Sequence, residues 1–487
     1  MSKMAIMGEE IEMKLEMTPG DADSLEASGL LLGAPEIAEQ RSVYFDTPDH
    51  ALSKVGFSLR IRRWGKKCIQ TIKADGTSAA GLFVRTEWEQ PVKGEAPILD
   101  YTTPILTLLG DAADSIAPVF EVCVERRTWM IDEDGAKIEL VLDRGEVVAG
   151  ERRSPVCEVE LELKDGDPDA LFALARRIDA IAPVRIGVLT KADRGYALTD
   201  PLVKAVKARP VVLASDITAA QAFQSIVQNC VRQFRRNETL LMFARDAEAL
   251  HQTRVALRRL RSAFSIFKSP NSAILREELR WLASELGDAR NLDVLLERSR
   301  PGPLHDRITA AREAAYDRVD ATLGSPRVRA FILDLVERAT IGDWLQAPDA
   351  EPSLQQPARE FAVHALDRYR RKVKKDGRGI GRADDEAAHE VRKDAKKLRY
   401  AAEFFSSLFA SGREKRRLKK FIAALGEFQD KLGGVIDLAT APQVLEKLGI
   451  ADDPGASALL GKAKRKVLVE AAADAYDEWL DTKRFWR

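Results

Sequence analysis

The chain has 487 residues, with 76 Lys+Arg against 76 Asp+Glu. Its 45% apolar content excludes wholesale disorder, and no apolar run nears the roughly 18 residues a membrane helix needs. Four scattered cysteines (Cys68, Cys123, Cys157, Cys230), none in a CxxC pair, exclude a disulfide scaffold and a cysteine metal site. The opening MSKMAIMGEEIEMK has no apolar stretch before its acidic residues, so a cytoplasmic chain without a secretory signal is expected. The zero net charge hides a split. Residues 1–200 hold 24 basic and 36 acidic side chains; the remainder holds 52 and 40. Opposite charge in the two halves predicts two domains with different work.

The first half reads as strands. Residues 9–17, 42–46, 57–64, 67–74, 82–92, 119–131, 136–148 and 156–164 alternate apolar and polar side chains. Turn signals such as Asp75-Gly76 and Asp134-Gly135 separate many of them, and helical stretches are inserted near 21–31, 101–115 and 167–181. Such spacing predicts an antiparallel barrel or sandwich. A linker with Pro201 and Pro210 covers 201–215. From 216 the pattern turns helical: 216–238, 245–268, 273–286, 303–323, 384–410 and 413–432 carry apolar residues at i, i+3, i+4, i+7. A Pro-rich break at 348–357 divides this half. Shifted by 138 residues, its two parts match: His251 meets His389, Arg254 meets Arg392, Leu260 meets Leu398 and Phe267 meets Phe405. The period is too long for a solenoid unit and predicts a duplicated helical bundle, with repeats at about 216–345 and 355–482.

Read by parity, the strands place charge on one face. Glu10, Glu12, Lys14 and Glu16 oppose Ile11, Met13 and Leu15; Arg60 and Arg62 oppose Leu59 and Ile61. Glu158, Glu160 and Glu162 oppose Val159, Leu161 and Leu163. A sheet with one solvated face would explain alternation alone. Here the polar face is almost wholly ionisable, and carboxylates and guanidinium groups fall on different strands. Turned inward, it would have an acidic and a basic wall. Buried unpaired charge costs several kcal/mol per ion, so such an interior makes sense around a polyanion and a divalent metal.

Glu10-Ile11-Glu12-Met13-Lys14 resembles the ExExK signature of the CYTH family, the triphosphate tunnel metalloenzymes. In family order follow Tyr44-Phe45-Asp46-Thr47, Leu59-Arg60-Ile61-Arg62, Gln70-Thr71-Ile72-Lys73, Arg85-Thr86-Glu87, Glu139 with Asp143, Glu158-Val159-Glu160-Leu161-Glu162 and Lys191-Ala192-Asp193-Arg194-Gly195. The resemblance covers 1–200. It implies an eight-stranded antiparallel barrel whose tunnel hydrolyses a triphosphate with Mg²⁺ or Mn²⁺. By position, Lys14, Arg60, Arg62, Lys73, Arg85 and Lys191 would bind phosphate, and Glu10, Glu12, Asp143, Glu158 and Glu160 would bind metal. Glu87 and Glu139 would orient basic residues or water, and with Glu10, Glu12 and Lys14 complete the catalytic set. On the sixth strand Arg126 and Arg127 both fit, and the alternation around Cys123 and Glu125 favours Arg127 inward.

In the helical half, His251, Arg254, Arg258 and Arg261 share one helix face, as do His389, Arg392, Lys396 and Arg399. Arg259, Lys393 and Lys397 stand beside them. Like charges so close repel unless an anion is present. One His per copy excludes zinc, and no aromatic platform or helix-turn-helix favours nucleic acid. These stripes, with Leu286-Gly287-Asp288 and Leu425-Gly426-Glu427, resemble the CHAD family over 216–482. The resemblance implies paired helical bundles that bind inorganic polyphosphate through these eleven basic residues. The expectation is a multidomain chain, α+β then all-α, that hydrolyses inorganic triphosphate and holds polyphosphate. The alternatives are a thiamine triphosphatase, an adenylate cyclase, or a non-catalytic protein targeted to polyphosphate granules.

Overall fold

A computed structural model describes residues 10–74, 77–79, 82–199, 205–268, 273–341, 352–447, 449–453, 455–459 and 465–487. Two compact units emerge, Met1–Lys204 with Arg329–Ile341, and Ala205–Val328 with Gly342–Arg487.

The first unit is one antiparallel sheet with helices. Its strands are β1 (Glu10–Glu16), β2 (Glu36–Asp46), β3 (Phe57–Trp64), β4 (Lys67–Ala74), β5 (Thr77–Ala79), β6 (Leu82–Arg85), β7 (Glu87–Pro91), β8 (Ala117–Glu133), β9 (Ala136–Ala149), β10 (Arg152–Asp165) and β11 (Arg185–Ile186). The hydrogen-bonded order is β5-β6-β1-β10-β9-β8-β2-β3-β4-β7, with β11 also on β1. Among the described residues the eight expected strands are eleven, and the ladder does not close. The expected strand 82–92 breaks at Thr86: β6 pairs with β1 and β7 with β4, so one short stretch of chain reaches towards both ends of the order. Asp134 and Gly135 both adopt positive φ in the tight turn joining β8 to β9, the backbone that suits a two-residue hairpin loop. Two apolar clusters carry the sheet, one around Val43, Phe45, Leu59, Ile61 and Ile72, the other around Tyr44, Phe120, Val122 and Val147. The helix Pro19–Ala27 is shorter than expected: a Thr18–Asp21 capping box starts it and Ser28 caps its end.

The second unit is all-helical, and its repeat is visible in the chain's own caps. Asp246 accepts the Ala249 N–H at 2.6 Å to start the helix Ala247–Phe267, and Asp384 accepts the Ala387 N–H at 2.8 Å to start Asp385–Phe404. The caps keep the 138-residue spacing of the repeat. The helices Ala219–Phe243 and Ala358–Asp376 begin side by side, where Thr218 and Pro357 form an antiparallel bridge. The matched Phe267 and Phe405 rings meet with centroids 5.8 Å apart. Among the described residues, no helix is long and apolar enough to cross a membrane.

Candidate functional site

In the first unit the charged face turns inward. Glu12 and Lys14 of β1, Arg60 and Arg62 of β3, Lys73 of β4, Glu87 of β7, Glu139 of β9 and Glu160 of β10 line one cavity of about 240 Å³. Their alternating neighbours Met13, Leu15, Leu59, Ile61 and Ile72 are buried in the core. Lys191 enters from the helix Lys191–Thr199. That helix is pressed onto β8. A Cβ on Gly195 would lie 2.1 Å from the Phe120 ring, so only glycine permits the approach. Thr190 and Asp193 cap its start, each side chain accepting the other's backbone N–H at 3.0 Å.

Charges at the cavity are sorted: Glu160 lines it, and Asp143 and Glu158 are buried beside it. Asp143, Glu158 and Glu160 gather on the adjacent strands β9 and β10. Lys191 Nζ lies 2.7 Å from Asp143, 2.6 Å from Glu158 and 2.9 Å from Glu160. Arg126 donates to both oxygens of Asp143 at 2.8 and 2.6 Å and to Glu160 at 2.9 Å. Lys14 pairs with Glu12 and Glu160. Burial opposes ionisation of Glu160, but Lys14, Lys191 and Arg126 hold its carboxyl well below the usual range. Burial also opposes the Lys191 charge, which Asp143 and Glu158 hold above the ordinary value.

Arg60 and Arg62 are placed differently. Among the described residues neither forms an ion pair, and the buried Nε of each donates no hydrogen bond. Arg60 Nη1 donates to the Tyr44 hydroxyl at 3.3 Å. Burial, with Arg60 and Arg126 nearby, pushes Arg62 down to about 10. Guanidinium groups held together without an ion-paired carboxylate suit an anion, and their planar forks match phosphate.

The acidic cluster fits a hard divalent cation. One oxygen from each of Asp143, Glu158 and Glu160 lies within 4.8 Å of the others. Glu158 is fully buried, and its Oε2 accepts no hydrogen bond among the described residues. Arg194 Nη2 stands 3.6 Å from that oxygen.

The second unit gathers cations around a pocket with no carboxylate in its described lining, although Lys393 and Lys397 pair with Glu390 and Asp394 beside it. Arg258, Arg261, Arg276 and Arg280 meet His389, Lys393, Lys396 and Lys397 around a pocket of about 460 Å³. A neighbouring pocket of about 250 Å³ shares Arg258, Arg261 and Arg280 and adds Arg254. Burial, Arg258 and Arg290 push Arg254 down to about 10.

A family model described as the CYTH domain matches residues 8–196, and one described as the CHAD domain matches residues 225–446. The chain is a CYTH–CHAD protein. An inorganic triphosphatase of Haemophilus influenzae is 30% identical over 204 residues, covering 40% of this chain and 56% of that one. The chain thus spans little more than half the length of that relative. An uncharacterised protein of Mycobacterium tuberculosis is 26% identical over 436 residues, 80% of each chain. The crystal structure of the CHAD domain from the plant Ricinus communis covers 58% of this chain and 98% of its own, at 26% identity and a TM-score of 0.49.

Most expected residues of the CYTH domain line or adjoin the tunnel, with one correction. Arg126 faces inward and Arg127 outward, where it pairs with Glu26 and Glu125 at 2.7 Å. The parity misled because β8 turns Val122 and Val124 into the tunnel; apolar residues there resemble core. Glu10 and Arg85 face each other in register on β1 and β6, and their side chains lie outside the described residues. Tyr44, Glu89 and Glu162 also line the cavity; none is among the expected site residues, though Glu162 stands on the charged face read by parity.

In the CHAD domain, Arg259 leaves the expected set. It is buried, donates to Asn229 at 3.1 Å and Gln233 at 3.0 Å, and stands over the Phe404 ring. One residue past Arg258 is about 100° around the helix, which turns Arg259 into the bundle. His251, Arg392 and Arg399 line neither pocket. Arg254 donates to the Ala283 carbonyl at 2.6 Å. Arg276 and Arg280 were missed; their i, i+4 spacing in Ala273–Glu285 was the available signal.

Proposed function

We propose that the CYTH domain hydrolyses inorganic triphosphate to pyrophosphate and phosphate with Mg²⁺ or Mn²⁺, and that the CHAD domain binds inorganic polyphosphate. The observation that carries this reading is one cavity lined by Arg60 and Arg62, which form no ion pair among the described residues, and by Glu160, whose carboxylate clusters with those of the buried Asp143 and Glu158. The Haemophilus relative supports the substrate class. Tyr44 is the one aromatic side chain among the described lining residues and is already stacked on Phe120, so no platform for an organic group is offered. That favours an inorganic substrate over thiamine triphosphate or a nucleotide. Four free thiols support a reducing, cytoplasmic setting.

The chain's residues suit phosphoryl transfer to water. Arg60, Arg62 and Lys73 would spread the charge of the triphosphate and of the transition state. Glu87 pairs with Lys73 and fixes its ammonium at the wall. A divalent cation held by Asp143, Glu158 and Glu160, with Glu10 and Glu12 contributing, would supply polarisation of phosphoryl oxygens and activation of water. Water attacks the terminal phosphorus, the bridging P–O bond breaks and pyrophosphate leaves. Ser42, Ser58 and Thr190 line the cavity, but no His is among the described lining residues to activate a hydroxyl, which favours direct attack by water.

Incubating the protein with tripolyphosphate and Mg²⁺ or Mn²⁺, and following phosphate release against a panel including ATP and thiamine triphosphate, tests the reading. Turnover with tripolyphosphate, falling roughly 100-fold or more in Lys73→Ala, is expected. No turnover of tripolyphosphate with either metal would contradict it.

A further inference from the structure

Apart from Arg60 and Arg62, most cations and carboxylates of the tunnel are partnered with each other. Glu12, Asp143, Glu158 and Glu160 face Lys14, Arg126 and Lys191 in one contiguous network. Lys191 is its centre: a single ammonium within 2.9 Å of an oxygen on each of Asp143, Glu158 and Glu160. These are the three carboxylates best placed for a metal. The same ammonium lines the cavity that contains Arg60 and Arg62. It cannot neutralise the triad and a phosphate chain equally well. Its backbone is fixed by the Thr190–Asp193 cap and the Gly195–Phe120 contact, so only the side chain can redistribute.

The geometry points to Lys191 as an electrostatic interlock: it serves as counter-ion to the metal-binding triad in the empty tunnel, and is transferred to triphosphate when a divalent cation takes its place. Metal and triphosphate then bind with positive coupling. Each releases the partner the other needs, and linkage makes the enhancement reciprocal. Lys191 competes with metal for the triad, yet favours metal once phosphate is present. This rests on the triphosphate reading of the tunnel, but adds to it an order of dependence. Direct metal–phosphate bonds alone would also give coupling, without any inhibition of metal binding by Lys191.

The test uses Mn²⁺ and bis(methylene)triphosphonate, whose P–C–P links resist hydrolysis. Isothermal titration, corrected for the complex the two form in solution, gives the affinity of each with and without the other. In the wild-type protein each is expected to tighten the other by roughly 10- to 100-fold. In Lys191→Met, Mn²⁺ alone should bind tighter than in wild type, the phosphonate alone weaker, and the mutual enhancement should shrink. Mn²⁺ should also raise the melting temperature of Lys191→Met more than that of wild type. Independent binding in wild type overturns the interlock while leaving the triphosphate reading standing. So does a Lys191→Met protein with unchanged Mn²⁺ affinity and unchanged coupling. If wild type binds neither ligand, both the interlock and the reading beneath it fail. The wild-type measurement needs no variant, so a misfolded Lys191→Met cannot shelter the idea.

Discussion

The tunnel and the CHAD pocket both gather cations, but only the tunnel has carboxylates in its described lining; Glu390 and Asp394 pair with Lys393 and Lys397 from outside the CHAD pocket's lining. Glu12 and Glu160 in the tunnel lining, with the buried Asp143 and Glu158 beside it, sit against Lys14, Arg126 and Lys191. The CHAD pocket is lined by Arg258, Arg261, Arg276, Arg280, Lys393, Lys396 and Lys397 with no described carboxylate. The difference teaches what each anion must bring. An enclosed site of mixed charge is nearly neutral when empty, and favours an anion accompanied by a cation. A pocket lined by cations attracts a polyanion unaided, by releasing counter-ions.

The largest expected effect comes from the register of β8. Arg126→Ala should lower triphosphate turnover roughly 100-fold or more, since Arg126 holds Asp143 and Glu160 beside the substrate space. Arg127→Ala should stay within about twofold, because its partners Glu26 and Glu125 lie outside. Steady-state rates of the two purified variants decide it; an Arg127 defect matching that of Arg126 would restore the opposite register. Next, the double reversal Arg258→Glu with Lys396→Glu should weaken long-chain polyphosphate binding on the order of 100-fold at 0.1 M salt and leave tripolyphosphate turnover within about twofold. Fluorescence anisotropy and phosphate release, run on the same preparation, separate the outcomes; a joint fall in both would dissolve the contrast between the sites.

A smaller effect distinguishes a buried cation from a pocket cation. Arg259→Met should cost about 1–3 kcal/mol of stability through the unpartnered Asn229 and Gln233, with little change in polyphosphate affinity of the folded protein. Urea melts and binding curves report the two quantities. The smallest effect concerns His389. Burial, Lys393 and Arg392 hold its imidazole below its usual pKa, against Glu390, so it is largely neutral at pH 7. A bound polyanion favours its protonated form, so binding takes up a proton and affinity rises as pH falls. Roughly a two- to threefold gain between pH 7.5 and 5.5 is expected, and its loss in His389→Gln. A pH-independent affinity in the wild-type protein would remove His389 from the site.

Much of this was legible because strand and helix periods are short. Parity alone placed Glu12, Lys14, Arg60, Arg62 and Lys73 on one face, since ionisable residues alternate there with Met13, Leu59, Ile61 and Ile72. It failed on β8, where Val122 and Val124 make an apolar wall, so hydrophobicity no longer marked the core. The bend at Thr86 was also hidden, because a strand that changes partners keeps its alternation. On the CHAD helices the spacing of Arg254, Arg258 and Arg261 identified a face. Whether Arg259 turned inward depended on Asn229, Gln233 and Phe404, which are distant in sequence. Arg276 and Arg280 share a helix face by their i, i+4 spacing, but that this face meets the pocket depends on tertiary packing.

The central claim is that one chain binds phosphate polymers in two ways, one needing metal and one not. Adding EDTA to the full-length protein tests it most directly, with tripolyphosphate hydrolysis and long-chain polyphosphate binding followed in the same buffer. Hydrolysis should fall to background and return with Mg²⁺ or Mn²⁺, while the polyphosphate Kd stays within about twofold. Hydrolysis that persists in EDTA, or polyphosphate binding that vanishes with it, would contradict the account.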